Sequence, residues 1–218
     1  MTLKNFLVLV LGAVFLVSCN FHKDEEKKID YLPAVTQEGK NTFGAYVNGE
    51  LFASKNAGRY NYLGSNLTRF EETYLDEESM GRKKGYYFSI TVNTNSVNPD
   101  KAKYLSFSFA GINKIKQDSV YLINGKNVVA SYSETLITNC KKIKSGGTWC
   151  ENKHNKMVAN QGYIKITKRK IISDINRGKP YDVVLSGLFS FSGTDEEGKE
   201  IKVTDGRFDV TATTNYID

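Results

Sequence analysis

The chain has 218 residues, with 30 lysines and arginines against 24 aspartates and glutamates, for a formal charge of +6. A modest, dispersed excess of this kind points to solubility rather than to a polyanion partner, although Lys165, Lys168, Arg169 and Lys170 sit close together. Three cysteines and two histidines leave little material for a metal centre or for thiol or imidazole chemistry.

The first element is an apolar run from Phe6 to Val17, just after Lys4. A helix needs roughly 20 apolar residues to cross a bilayer, so this run is too short to span and has the length of a signal-peptide core. It ends in Leu16-Val17-Ser18-Cys19. That ending resembles a bacterial lipobox, which implies diacylglyceryl transfer to Cys19 and cleavage after Ser18. More than one acyl chain on Cys19 gives stable anchoring, at about 0.8 kcal/mol per buried CH₂. Residues 1–18 are thus expected to be a signal peptide, and residues 19–40 a lipidated cysteine followed by a flexible tether. Within the tether, Lys23-Asp24-Glu25 resembles the surface-export signal of Bacteroidetes lipoproteins. The expected location is the outer membrane facing the cell exterior, with its periplasmic face as the second choice. For an exported protein no nucleic-acid partner is expected, despite the positive charge.

Residues 41–218 are expected to form one all-β domain, with little helix and about ten antiparallel strands in a β-sandwich or a partly closed β-barrel. Asn48-Gly49 between Phe43–Val47 and Leu51–Ala53 is a strong hairpin signal. Residues Phe70 to Met80 are the best helix candidate, made ambiguous by Thr73, Tyr74 and the acidic cluster, and a short helix fits Ile112 to Gln117. Alternation of apolar and polar residues marks strands at Phe88–Val92, Leu105–Phe109, Ile164–Ile166, Val183–Phe191, Ile201–Val203 and Phe208–Val210. Asn124-Gly125, Asp195–Gly198 and Asp205-Gly206 are read as turns, the last of them opening a separate final strand. Gly187, on the apolar face of its strand, marks a bend or a close backbone approach.

With Cys19 lipidated, Cys140 and Cys150 remain as an even pair in an oxidising compartment, flanking a Ser-Gly-Gly turn, and a hairpin-stapling disulfide is the natural reading. His154 follows Cys150 by four positions, but a closed zinc site wants four ligands and His22 lies in the tether. No metal and no cofactor are expected. No catalytic residue is assigned. Tyr60, Tyr62 and Trp149 are the expected aromatic platform for a glycan or protein partner, against the plainer reading that tyrosines pack across strands.

Further motifs bear a likeness to a known group. Leu32-Pro33, Thr36, Gly39, Asn41-Thr42-Phe43-Gly44 and Val47-Asn48-Gly49 resemble the N-terminal signature of a Bacteroidetes outer-membrane lipoprotein family of unknown function. So do Gly162–Lys168, Ser186–Phe191, Gly198-Lys199 and Thr204–Val210. The resemblance implies a β-rich domain behind a lipid anchor and supplies no catalytic residues. Ala45 departs from it, standing where many relatives carry a cysteine. Asp118-Ser119-Val120 also resembles the O-glycosylation acceptor of exported Bacteroidetes proteins, with Ser119 as the attachment point. The expected function is binding or envelope structure through a lipid anchor. The alternatives are a hydrolase using carboxylates of the 71–78 segment (Glu71, Glu72, Asp76, Glu77, Glu78) and a lipocalin-like carrier of a small apolar ligand.

Overall fold

A computed structural model describes residues 31–54, 69–75, 84–93, 101–112, 115–142, 148–173 and 181–214. They form ten strands and, among the described residues, no helix. The strands are β1 (Thr42–Val47), β2 (Glu50–Ser54), β3 (Arg69–Leu75), β4 (Gly85–Asn93), β5 (Lys101–Ile112), β6 (Ser119–Leu122), β7 (Val128–Lys142), β8 (Thr148–Ile171), β9 (Tyr181–Asp195) and β10 (Glu200–Thr214).

The ladders run antiparallel from β3 through β4, β5, β7, β8 and β9 to β10. β10 then meets β3 again through one parallel pair, Thr214 opposite Glu72. One sheet therefore rolls round on itself without becoming a continuously bonded barrel. This is the partly closed form of the expected architecture. β1 lines the same edge of β10 further up, β2 pairs with β1, and β6 adds to β8.

Each apolar series read from the sequence faces the inside of this roll. Phe88, Ile90, Val92, Leu105, Phe107, Phe109, Ile164, Ile166, Phe189, Phe191, Phe208 and Val210 are all buried. Phe107 lies at the centre, with ring centroids 5.2 Å from Phe189, 5.3 Å from Phe208, 6.3 Å from Phe88 and 6.4 Å from Phe43. Rings from β1, β4, β5, β9 and β10 thus meet across the interior. Where a carrier of the lipocalin kind would hold an open apolar cavity, the described interior is occupied by side chains.

The Asn48-Gly49 hairpin forms as expected, with φ of 49° and 82°, the paired positive values of a type I′ turn. Gly187 is a close approach: an added Cβ would lie 2.4 Å from the Lys165 carbonyl oxygen and 2.6 Å from the Phe208 ring. Three expectations are corrected. Arg69–Leu75 is a strand, because its residues pair in register with β4 from Thr91 to Gly85. Residues up to Ile112 belong to β5, and 115–118 lead through a turn into β6, so no helix forms in their described part. Asp205-Gly206 does not separate two strands. Asp205, at φ 52°, sits in a β-bulge between Val203 and Gly206, and β10 runs on through it.

Residues 32–40 were expected to continue the tether. Instead Pro33 packs at Gly44, and Thr36 to Asn41 are hydrogen-bonded to β10. The folded unit therefore begins ahead of residue 41.

Candidate functional site

Two polar constructions interrupt the apolar pattern. The first is on the outer face of β10. Asp209 points away from the core between Phe208 and Val210, yet it is only 1% exposed. Its cover is the segment Thr36–Lys40. One carboxylate oxygen accepts from the Thr36 hydroxyl at 2.5 Å, the Glu38 amide at 3.1 Å and the Lys40 amide at 3.2 Å. The other accepts from the Gly39 amide at 2.9 Å and from the buried Ser186 hydroxyl at 2.7 Å. Gly39 has φ of 72°, which lets consecutive amides turn toward one anion. Asn41 Oδ1 accepts from the Thr211 amide, the Thr211 hydroxyl donates to the Gly39 carbonyl, and Arg207 donates to the Pro33 carbonyl. Burial alone would raise the Asp209 pKa. The hydroxyl and amide donors outweigh it and hold the carboxyl below its ordinary value. Every lone pair of this anion is spoken for, so the construction is a clasp, not a reactive group.

The second lies at the open end of the roll. There the inward-facing series of five strands change from apolar to polar. In β5, Phe107 and Leu105 give way to Lys103. In β7, Ala130 and Tyr132 give way to Glu134. In β8, Ala159 and Met157 give way to Asn155. In β9, Phe191 and Gly193 give way to Asp195, and in β2 Phe52 gives way to Glu50. Lys103 stands opposite Glu134, and Glu134 opposite Asn155, so three of these groups form one rank across the sheet. Between this rank and the β1–β2 and β9–β10 turns lies a cavity of about 340 Å³, floored by Val47, Met157 and Ile201 and rimmed by Lys153, Glu197 and Lys199.

The rim is internally paired. Lys103 Nζ lies 2.8 Å from Glu50 and 3.7 Å from Glu134. The Tyr132 hydroxyl donates to Glu134 at 2.5 Å, and burial together with that acceptor pushes the phenol pKa up. Lys153 pairs with Glu197 at 2.8 Å. Asn155 Nδ2 donates to Asp195 at 2.9 Å, and the Glu197 and Lys199 amides donate to the other Asp195 oxygen at 3.0 and 2.8 Å. These donors, the Asn155 amide first, hold Asp195 below the ordinary carboxylate range. An acid so placed stays ionised at neutral pH and makes a poor proton donor. One atom is left over: Asn155 Oδ1 is buried and has no hydrogen-bond partner.

Of the residues singled out from sequence, Cys19, Lys23, Asp24, Glu25, Tyr60, Tyr62, Asp76, Glu77 and Glu78 lie outside the described residues. Glu71 and Glu72 belong to β3, and Trp149 and Cys150 to β8; their side chains also lie outside the description. Cys140, in β7, is exposed and disulfide-bonded. The β7–β8 register pairs Thr138 with Glu151 and Lys141 with Trp149, which places Cys140 beside Cys150 at an irregularity in the ladder. Ser119 opens β6, partly exposed, behind Asp118 at φ 59°. His154 is exposed, with Nδ1 2.9 Å from the Thr135 hydroxyl. Tyr86 and Tyr132 are buried packing residues, so the plainer reading of the tyrosines holds for these two. No group of three or more His, Cys, Asp or Glu could hold a metal ion among the described residues.

Sequence reasoning missed both constructions. The signal for the end basin was present, as the residue two positions beyond each apolar series. The signal for the clasp was a lone carboxylate and a lone serine, Asp209 and Ser186, on faces that otherwise look solvated. Comparison with protein-family models, curated proteins and solved structures finds no match to this chain.

Proposed function

We propose that this chain is a lipid-anchored binding lipoprotein of the outer membrane, held through Cys19, facing the cell exterior and engaging a glycan or protein partner without catalysis. The observation that carries the binding role is the end basin: a pre-formed cavity whose polar rim is held by its own ion pairs and hydrogen bonds, at the mouth of a filled roll. Pre-organisation of this kind lowers the ordering cost of association. The Asp195 carboxylate, kept ionised by its donors, favours recognition over acid catalysis.

The address rests on Leu16–Cys19 and Lys23–Glu25. With the folded unit beginning by Leu32, the 13 residues from Cys19 reach at most about 45 Å, at roughly 3.3–3.6 Å each. The domain then works close to the bilayer. In this reading Cys150 is the partner of Cys140, Ser119 carries an O-glycan, and the clasp residues Thr36, Gly39, Asn41 and Asp209 account physically for the signature shared with the Bacteroidetes lipoprotein family.

The test is fractionation and protease shaving of intact cells. The parent chain should partition with the outer membrane and be cut from outside, while Cys19→Ala should move to the soluble fraction. A Cys19→Ala protein still in the membrane would overturn the anchor, and a shaving-resistant parent would move the domain to the periplasmic face.

A further inference from the structure

We infer that the end basin binds a neutral, hydroxyl-rich ligand, a sugar residue of a glycan. This rests on the binding role above and names the ligand class for it. Three observations converge. The cavity, about 340 Å³, falls within the roughly 300–1,000 Å³ of small-molecule sites. Its floor is apolar, with Met157 and Ile201, while its rim is mostly polar, with Leu136 as an apolar member. A sugar offers the same division, C–H faces against hydroxyl edges.

The charge pattern selects against ions. Lys103 is shared by Glu50 and Glu134, and Lys153 is held by Glu197. An anion entering the basin meets four carboxylates with two of the lysines already engaged. A cation must compete with those lysines for acids that they and Asn155 occupy. A neutral hydroxyl needs to displace nothing. Asn155 Oδ1, without a partner and closed to solvent, is an acceptor in the rank with Glu134; such an atom costs free energy until a donor reaches it, and a ligand reaches it when the Asn155 side chain turns toward the basin. A hydroxyl supplies that donor and still accepts through its own lone pairs, which an ammonium cannot do.

The experiment uses the full chain in detergent micelles with methyl-labelled methionine, so that Met157 in the floor reports occupancy without any substitution. The probes are maltose, cellobiose and diacetylchitobiose, with sulfated disaccharides and putrescine as charged comparators. A saturable shift of the Met157 methyl with at least one neutral sugar is expected. Asn155→Thr should weaken that binding about tenfold, the loss of one well-placed hydrogen bond. Val120→Ser, on the exposed face of β6, should leave it unchanged. A Met157 methyl that no neutral sugar moves, a response to the charged probes alone, or an equal response in Asn155→Thr overturns the inference. These failures are separate from failure of the binding role itself. A protein partner crosslinked from intact cells, with Met157 silent to sugars, would leave the role standing and remove the ligand.

Discussion

Replacing Asp209 by asparagine tests whether the N-terminal strap belongs to the fold. The carboxylate accepts five hydrogen bonds, three from consecutive strap amides and two from hydroxyls. Asparagine has the same shape but turns one acceptor oxygen into an NH₂ group, which must face at least two of these donors. Hydrogen bonds to a charged group contribute roughly 1.5–3 kcal/mol each and are not additive, so losing about two of them costs on the order of 3–4 kcal/mol. For a chain of this size that lowers the melting temperature by roughly 6–16 °C. The strap, whose amides are tied to Asp209 in the parent, should become an early site of limited proteolysis. The sign with pH follows from the depressed carboxyl. Its contribution is complete above the unfolded value of about 3.9 and is lost as pH falls through the lower folded value. The gap between parent and Asp209→Asn should therefore be wide at pH 7 and shrink below about pH 4. A variant that melts with the parent at pH 7 and keeps its strap protected would refute the reasoning.

Three further outcomes follow from packing and cross-linking. Gly206→Ala places a Cβ 2.4 Å from the Phe189 ring, which four other aromatic rings hold in place, and should cost about 1–3 kcal/mol by urea denaturation. Phe107→Ala removes the ring on which Phe43, Phe88, Phe189 and Phe208 converge and should cost about 3–5 kcal/mol, enough to leave the domain largely unfolded on warming. Reducing the disulfide at Cys140 should destabilise by about 2–3 kcal/mol if it closes the short loop to Cys150, and peptide mapping should recover those two cysteines in one cross-linked fragment.

The strand interiors were legible because period two is a strict code: every alternating series that looked one-faced is buried on that face. The Asn48-Gly49 hairpin was legible because its chemistry is local. Misreadings fell where one local signal serves two structures. Asp-Gly at 205–206 suits a turn and equally a bulge, and only the continuing pairing of Arg207 to Thr214 with β9 decides between them. Residues 70–80 are the best helix candidate in the sequence, made ambiguous by Thr73, Tyr74 and the acidic cluster; in 70–75 Thr73 and Tyr74 favour a strand, and the waiting edge of β4 supplied the partner. The end basin was half-legible. Each polar terminus of an inward series could be read, but that three of them form one rank depends on register, which the sequence does not carry.

The clasp was not legible at all, and the reason bears on how the domain is held. Asp209 and Thr36 stand 173 positions apart. Little in the run Thr36-Gln37-Glu38-Gly39-Lys40 looks structural, because apart from the Thr36 hydroxyl its folding value lies in backbone amides that any sequence possesses. What is particular is a residue at φ 72° that lets three amides converge, and a carboxylate placed on the outer face of β10 to receive them. The same placement explains why Ser186 is fully buried on a face where Ser190 and Ser192 remain partly open: the strap stops short of them. In the proposed anchored protein, the lipid pulls on Cys19 and the pull arrives at Pro33, where Arg207 grips the carbonyl, before it reaches any core strand. The clasp therefore stands between the membrane tether and the core. Force or acid that opens it would lengthen the tether by nearly ten residues, about 30 Å at full extension, without unfolding the roll that carries the basin.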